Sequence, residues 1–510
     1  MLSKIYSYGI SGLDAYPVTI EVDVARGLPC TLIVGLPDSA IKESKERIRS
    51  AIRNSGYQFT FDRITINLSP ADVKKEGPSF DLAMALGILS ATQQIDTSFL
   101  SQYAILGELS LDGHVQPIKG ALSIALAVSR QQFKGLILPA SNAPEGAISG
   151  RIPIYPVETL TEVIHFLHNP DDIKPFKMDT QSLFKEANHY DIDFCEVKGQ
   201  AHVKRGLEVE AAGGHNVLLI GPPGSGKTML AKRLPSILPD MSLEEALETT
   251  KIYSVMGMVT SPNGIVATRP FRSPHHTSSD VALVGGGSMP KPGEVTLAHN
   301  GILFLDELPE FNRNVLEALR QPLEDHQVTI SRAIKSLRFP AHLMLVCAMN
   351  PCLCGQYGNP RASCRCSSMQ IQKYRSKISG PLLDRIDIHL EVPAVNYHDL
   401  SSLRPEETSA QIKERVNQAR AIQLKRFKDA QIVCNAQMGH RQVRKFCVLG
   451  KDESELLKAA MTELNFSARA YDKILKISRT IADLAGSERI RTEHLAEAIQ
   501  YRSLDREWWG

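Results

Sequence analysis

The stretch HNVLLIGPPGSGKTMLAKRL, residues 215–234, decides the fold of the central part of this 510-residue chain. It consists of a short apolar run, a glycine-rich turn and the first residues of a helical pattern. The turn from Gly221 to Thr228 fits the spacing G-x-x-x-x-G-K-[ST], in which backbone N–H groups and a helix N-terminus cradle phosphates. A strand before the turn and a helix after it are the context that this motif requires. The sequence therefore predicts a nucleotide site in an α/β domain, and a glycine-rich turn that binds nothing is the alternative.

The residues of this predicted phosphate loop have distinct expected roles. Lys227 can reach the β- and γ-phosphates of ATP, and the hydroxyl of Thr228 can hold Mg²⁺. The expected nucleotide-binding set is Gly221, Pro222, Pro223, Gly224, Ser225, Gly226, Lys227 and Thr228.

Two further apolar runs end in residues suited to ATP hydrolysis. GILFLDE (301–307) ends in Asp306, expected to hold Mg²⁺ through water, and Glu307, expected to orient or deprotonate the attacking water. HLMLVCAMN (342–350) ends in Asn350, whose amide can position that water. An asparagine that only caps a loop is the alternative for Asn350.

Two arginines are candidates for stabilising charge in the transition state. Arg385, in SGPLLDRIDIHLEV (379–392), could reach the γ-phosphate of a neighbouring subunit. Its alternative is an ion pair with Asp384 or Asp387 of the same chain. Arg469, in SARAYDKIL, is a candidate for closing a helical lid over ATP, and an exposed helix charge is the alternative.

Four of the nine cysteines form the pattern C-x-C-x9-C-x-C, in the stretch NPCLCGQYGNPRASCRC (350–366). Cys352, Cys354, Cys364 and Cys366 could bind Zn²⁺, because four thiolates suit its tetrahedral geometry. Free thiols and a redox switch are the alternatives.

The motifs GPPGSGKT, GILFLDE, Asn350, GPLLDRID and SARA together resemble those of the AAA+ ATPases. The likeness is greatest to the branch that contains the magnesium-chelatase ATPase subunit and the MCM helicases. Residues 269–307 resemble the insertion of that branch before its acidic strand, and residues 323–351 resemble its following hairpin. The resemblance implies a P-loop α/β/α core with a helical C-terminal lid.

The N-terminal segments KKEGPSFDLAMALGIL (74–89) and GELSLDGHVQPIKGAL (107–122) resemble the Lon-type protease domain, an α+β fold. Ser79 occupies the position of the Lon nucleophile, whereas Leu122 occupies that of its lysine base. Lys119 lies three residues too early. Because a serine without its base is a poor nucleophile, we expect a noncatalytic domain, like the degenerate one in the bacterial recombination protein RadA.

The order of domains resembles that of the ComM/YifB family along the whole chain. We expect a Lon-like domain at 1–168, a linker at 169–193, an AAA+ core at 194–394 that includes the cysteine insertion 352–366, and a helical lid at 395–510. The resemblance implies a homohexameric helicase that encircles DNA and drives branch migration during natural transformation. Recombination proteins are then possible partners.

Two basic stretches are candidates for gripping the phosphates of DNA without reading its bases. ISRAIKSLRF (330–339) has the alternation of a hairpin and supplies Arg332, Lys335 and Arg338. The glycine-rich VGGGSMPKPGE (284–294) supplies Lys291. A solvated loop and a structural turn are the respective alternatives. The adjacent His275 and His276 indicate a structural role or a subunit contact more than a metal site.

The composition is that of an ordinary globular protein, with 43% hydrophobic and 22% charged residues and a net charge of +2. No apolar run reaches the length of a membrane span, and no secretory signal is recognisable, so we expect a cytoplasmic protein. Three other functions stay open, namely a chelatase-type motor, a protein-remodelling ATPase and a scaffold that binds nucleotide without turnover.

Overall fold

The computed structural model describes residues 2–96, 98–179, 184, 190–287, 290–331, 336–359, 362–395, 406–428, 430, 432–464 and 466–504. The chain divides into two compact units, each of them discontinuous in sequence. The first unit is Met1–Ala187 together with Leu243–Ala267, and the second is Asn188–Ser242 together with Thr268–Gly510.

A seven-stranded mixed sheet is the framework of the first unit. The strands of this sheet and of a short hairpin are β1 (Leu2–Ser11), β2 (Asp14–Ala25), β3 (Cys30–Val34), β4 (Arg63–Ser69), β5 (Tyr103–Ile105), β6 (Glu108–Leu109), β7 (Val115–Gln116), β8 (Gly135–Pro139) and β9 (Ile154–Val157). The sheet has the order β3-β4-β2-β1-β5-β8-β9. Ile64, Ile66 and Leu68 of β4 are fully buried, because alternate side chains of a strand point to the same face.

Helices cover this sheet and supply the rest of its hydrophobic core. Asp81–Ala91 is buried along its whole length. The helices of the N-terminal segment are Ser39–Asn54, Asp81–Ala91, Ala121–Val128, Ala143–Ala147 and Leu160–His168.

The helix Leu243–Met256 belongs to the first unit, although the sequence analysis placed it in the ATPase core. Its Ser254 donates a hydrogen bond to the buried Glu145, and the Ser254 carbonyl accepts one from the N–H of Gly120 at 3.0 Å. Lys251 forms an ion pair with Asp14 at 2.6 Å. The domain boundary therefore differs from the prediction, because these contacts with residues of the first 187 hold the segment there.

A five-stranded parallel sheet forms the centre of the second unit. The strands of this unit are β10 (Val217–Ile220), β11 (Phe271–Arg272), β12 (Gly285–Gly286), β13 (Lys291–Pro292), β14 (Ile302–Leu305), β15 (Gln327–Ser331), β16 (Ser336–Pro340), β17 (Met344–Met349) and β18 (Ile388–Glu391). The sheet has the order β11-β14-β17-β10-β18. β10 and β14 are buried at every position, as central parallel strands are.

The C-terminal part of the second unit is helical, as the sequence predicts. The long helix Ser409–Arg426 begins with a capping box between Thr408 and Gln411. The helices of the second unit are Ala201–Gly213, Lys227–Arg233, Asp280–Val284, Glu294–Leu297, Arg313–Ala318, Arg320–Asp325, Ser368–Arg375, Gly380–Leu383, Ser409–Arg426, His440–Phe446, Lys451–Glu463, Ala468–Leu484 and Thr492–Gln500. Among the described residues, no helix has both the length and the apolar composition to cross a membrane.

Candidate functional site

The predicted phosphate loop connects β10 to the helix Lys227–Arg233. Gly224 and Gly226 have φ angles of +74° and +89°, a conformation that side chains other than hydrogen rarely allow. A Cβ on Gly221 would lie 2.1 Å from the carbonyl oxygen of Val392. The glycines therefore permit both the left-handed turns and the close approach to the end of β18.

Lys227 is held inside this loop. Its ammonium donates hydrogen bonds to the carbonyls of Gly221 at 2.7 Å and Pro222 at 3.0 Å, and to Oδ1 of Asn350 at 3.2 Å. Burial lowers the pKa of Lys227, and the nearby Asp306 and Glu307 oppose that shift. A cation is thus placed where the loop would bind phosphates.

Thr228 and the acids after β14 lie next to each other. Oγ1 of Thr228 donates to Oδ2 of Asp306 at 2.6 Å, and Oδ1 of Asp306 accepts from the N–H of Glu307 at 2.9 Å. A hydroxyl and a carboxylate are hard oxygen donors of the kind that Mg²⁺ prefers. These two side chains therefore fit the predicted magnesium ligands.

Neighbouring strands bring these groups together. β14 pairs with β17, and β17 pairs with β10 in parallel register, so Asp306, Asn350 and the phosphate loop follow strand ends at the same edge of the sheet. Ligands of open parallel sheets bind at such an edge. The structure thus places the expected hydrolytic residues around one point.

Arg385 and Arg469 lie at the opposite edge. Asn216, which directly precedes β10, donates to the carbonyl of Arg385 at 2.8 Å. The Arg385 guanidinium contacts Glu324, and Arg469 forms an ion pair with Asp384 at 3.0 Å. Arg469 is therefore not beside the phosphate loop of its own chain, which differs from the expected lid closure.

A cavity of about 210 Å³ is lined by both of these arginines. The cavity lies near the start of β18, because Lys473, which lines it, forms an ion pair with Asp387 at 3.0 Å and donates to the carbonyl of Ile386 at 2.9 Å. These contacts fix the helix Ala468–Leu484 near the start of β18. The cavity is lined by Glu324, Asp384, Arg385, Arg469, Asp472, Lys473 and Lys476.

The four cysteines converge, with all their sulfur atoms within 4.8 Å of one another. The Sγ of Cys352 lies 3.4 Å from that of Cys354 and 3.7 Å from that of Cys364. Thiolates bound to one zinc ion at about 2.3 Å lie about 3.8 Å apart in a tetrahedron. The cluster therefore fits a zinc site, which is one of the three interpretations that the four cysteines leave open in the sequence.

The cysteine loop touches the phosphate loop. Gly355, at φ +75°, is so close to Pro223 that an added Cβ would lie 2.4 Å from its Cδ. Gly355 and Pro223 are far apart in the sequence, and no sequence pattern predicts their contact. Gln200 is a second residue that the sequence analysis missed, since its side chain donates to the carbonyls of Ser225 at 2.8 Å and Pro393 at 3.0 Å.

The candidate DNA-binding residues are only partly described. Arg332 and Lys335 lie outside the described residues. Arg338 is exposed on β16, opposite Thr329 of β15. Lys291 is exposed on β13, opposite Gly286 of β12.

The first unit carries the residues that resemble a protease centre. Leu122 is fully buried, and its N–H donates to Glu145 at 3.0 Å. Ser79 lies in the short helical turn Pro78–Phe80. Because a leucine cannot accept a proton, no base is present where the Lon pattern has lysine.

Comparison with known families agrees with this architecture. The models described as subunit ChlI of Mg-chelatase, as magnesium chelatase subunit ChlI and as the C-terminal part of that subunit match residues 20–142, 193–400 and 406–502. The fold and the phosphate site define a magnesium-chelatase-like AAA+ ATPase. The predicted fold class is confirmed.

Relatives that match along the full length of the chain show which family of this class it belongs to. The chain is 42% identical to the competence protein ComM of Haemophilus influenzae over 507 residues, which is 99% of this chain and 98% of that protein. It is 43% identical over 508 residues to the uncharacterized protein YifB of Salmonella typhimurium, at the same coverage. The chain belongs to the ComM/YifB family.

A relative that matches only part of the chain accounts for the resemblance of the N-terminal segments to the Lon-type protease domain. Lon protease of Aquifex aeolicus is 28% identical over 161 residues, which is 30% of this chain and 20% of that protein. This match is to the N-terminal region, so the Lon-like fold expected there is supported.

Proposed function

We propose that this protein is an ATP-driven DNA helicase that promotes branch migration while incoming DNA recombines during natural transformation. The full-length similarity to a competence protein supports this biological setting. The observation that carries the proposal is the hairpin β15–β16, which lies in sequence between Glu307 and Asn350, two residues of the ATP site. DNA held by this hairpin acts directly on the strands that carry the hydrolytic groups.

The base of the hairpin is anchored in the protein while its outer part is accessible. Val328 and Phe339, which face each other in the ladder, are buried. Ser331, Ser336 and Arg338 are exposed. Arg338, together with Lys335 and Arg332 from the sequence between the two strands, would neutralise backbone phosphates and give binding that depends little on sequence and strongly on salt.

The glycine-rich hairpin β12–β13 packs against this element. A Cβ on Gly285 would lie 2.9 Å from Cδ1 of Ile330 and 2.5 Å from the carbonyl oxygen of Lys291. Only glycine allows such a close approach of the two hairpins. In this proposal Lys291, exposed on β13, supplies a further cation for DNA, although Arg338 points from the face of its hairpin opposite to Ile330.

Hydrolysis at the phosphate loop supplies the energy. Lys227 would bind the phosphates, and Thr228 and Asp306 would hold Mg²⁺, which supplies positive charge to the phosphates when bound. Glu307 would accept a proton from the attacking water while the oxygen of that water bonds to the γ-phosphorus. The bond between the γ-phosphorus and the bridging β-phosphate oxygen would then break, and ADP would leave. Asn350 orients that water.

Arg385 and Arg469 act between subunits in the proposed homohexamer. Both lie at the edge of the sheet opposite their own phosphate loop, beside the same cavity. From there they would meet the γ-phosphate of a neighbour's ATP, which would make ATP turnover depend on assembly.

The cysteine loop, with zinc bound, would keep Gly355 against Pro223 and so support the shape of the phosphate loop.

The test is the rate of ATP hydrolysis without DNA and with single-stranded, duplex or four-way junction DNA. DNA should raise the rate for the wild type, whereas Lys335→Ala and Arg338→Ala should keep basal turnover and lose the increase. Lys458→Ala, which removes an exposed cation from the helix Lys451–Glu463, is the control and should behave like the wild type.

A chelatase-type motor is the second candidate, because the matching family models are those of a magnesium-chelatase subunit. Hydrolysis that no DNA alters at low salt would favour this candidate, or a protein-remodelling ATPase, over a DNA motor. Absence of any hydrolysis would favour a nucleotide-binding scaffold.

A further inference from the structure

We infer that His276 is a positioning residue for the catalytic carboxylate of Glu307, and that it connects this carboxylate to the glycine-rich hairpin. The inference rests on the proposed role of Glu307 in hydrolysis. The adjacent histidines were expected to serve structure or subunit contact, yet only one of them reaches the ATP site.

The contact is direct. Nδ1 of His276 lies 3.3 Å from Oε2 of Glu307. His276 also packs edge-on against the buried Phe311, with ring centroids 6.4 Å apart. The imidazole is thus supported on one side by an apolar ring and faces the carboxylate on the other.

Glu307 needs such a partner, because among the described residues little else fixes its side chain. Its side chain is 58% exposed, and its backbone has φ +53°, a left-handed conformation uncommon for a residue with a side chain. Outlying backbone conformations of this kind are concentrated at functional sites. The backbone is held by Asp306 and by the N–H of Glu310, which donates to the Glu307 carbonyl at 2.8 Å, but the carboxylate faces His276.

The same segment is tied to the glycine-rich hairpin. Arg272, four residues before His276, makes two hydrogen bonds to the carboxylate of Glu294, at 2.6 and 2.8 Å. Glu294 begins the helix that follows β13, three residues after Lys291. Displacement of the hairpin therefore pulls on the segment that carries His276, and so changes where the carboxylate of Glu307 points.

The experiment compares the steady-state kinetics of ATP hydrolysis by full-length His276→Ala, His276→Asn and His275→Ala. Loss of a group that orients a reacting residue costs about 10- to 100-fold in activity. We expect His276→Ala to lower kcat by that factor with an unchanged KM and an unchanged affinity for a nonhydrolysable ATP analogue. Asparagine retains a donor near the Nδ1 position, so His276→Asn should restore most of kcat.

His275 provides the matched control. It is exposed, its Nδ1 lies 2.9 Å from the Thr277 hydroxyl, and its ring centroid lies 4.1 Å from that of His276 rather than facing Glu307, so His275→Ala should lower kcat far less than His276→Ala. Equal kcat values for His276→Ala and the wild type, or a loss that His276→Asn does not restore, would overturn the inference.

Glu307→Gln, measured in parallel, separates this inference from the proposed function. If Glu307→Gln hydrolyses ATP normally, the assignment of the catalytic base is wrong and the inference fails with it. If Glu307→Gln is inactive and His276→Ala is normal, only the inference about His276 fails. The double variant should be no slower than Glu307→Gln, because His276 acts through that carboxylate.

Discussion

Two glycines of the cysteine loop offer a test of its contact with the phosphate loop. Gly355 and Gly358 both have φ +75°. Alanine at either position meets the same backbone penalty, about 1 kcal/mol or slightly more. Their surroundings differ, because a Cβ on Gly358 would meet nothing within 4 Å, whereas one on Gly355 would lie 2.4 Å from Cδ and 2.7 Å from Cγ of Pro223.

The expected effect of Gly355→Ala follows from this clash. Carbon atoms in contact are normally about 3.5–4.0 Å apart, so the two loops must separate by about 1 Å. A proline ring cannot rotate away, and overpacking of this kind costs about 1–3 kcal/mol. If the phosphate loop moves, that cost weakens ATP binding by about 5- to 150-fold.

The assay is the affinity for ATP with Mg²⁺, measured by fluorescence anisotropy of a labelled nucleotide, together with zinc content and Tm. Both variants should retain zinc, Gly355→Ala should lose more thermal stability than Gly358→Ala because of its clash, and only Gly355→Ala should bind ATP more weakly. Equal nucleotide affinity in the two variants would refute the reasoning. Loss of zinc from Gly355→Ala with normal ATP binding would show that the cysteine loop moves instead.

Three other outcomes are expected. Cys364→Ser should lower zinc content and Tm and weaken ATP binding; protein purified without zinc but equally stable would contradict the zinc site. Gly264→Ala should lower stability by about 2–3 kcal/mol in thermal unfolding, because its Cβ would lie 2.5 Å from the backbone nitrogen of Glu145. Burial raises the pKa of Asp387, but the charge of Lys473 and the contact with His215 outweigh this and hold the pKa below its ordinary value. The carboxylate therefore stabilises the fold above the unfolded-state pKa of about 3.9, and this contribution is lost as the pH falls below it. Asp387→Asn should lower the free energy of unfolding by about 3–5 kcal/mol at pH 7, and in acid the variant should lose less further stability than the wild type. Urea unfolding at several pH values measures both effects.

The ATP site could be predicted largely from sequence because its chemistry is local. A phosphate loop needs glycines at fixed spacing between a strand and a helix, and parallel apolar strands carry the residues that follow them to one edge. Asp306 and Asn350 therefore lie near Lys227, as the strand pattern implies. The helical C-terminal part was predictable for a similar reason, since helical periodicity is a local property.

Long-range contacts gave no such signal. Whether Arg469 faces its own phosphate loop depends on how one helix packs, and the ion pair of Lys473 with Asp387 places it at the opposite edge. The contact of His276 with Glu307 depends on the path of an irregular segment between strands. The resemblance to known families supplied the overall order of domains, yet not the boundary at Leu243–Ala267.

The discontinuous first unit affects how the protein is made. A ribosome that has released the first 187 residues has not yet synthesised the helix Leu243–Met256, which supplies Ser254 to the buried Glu145. β10 and the phosphate loop leave the ribosome before that helix does. The first unit therefore cannot complete its fold until the part of the second unit that contains the phosphate loop has left the ribosome. For the same reason, moving this unit into another protein requires a second segment from beyond the phosphate loop.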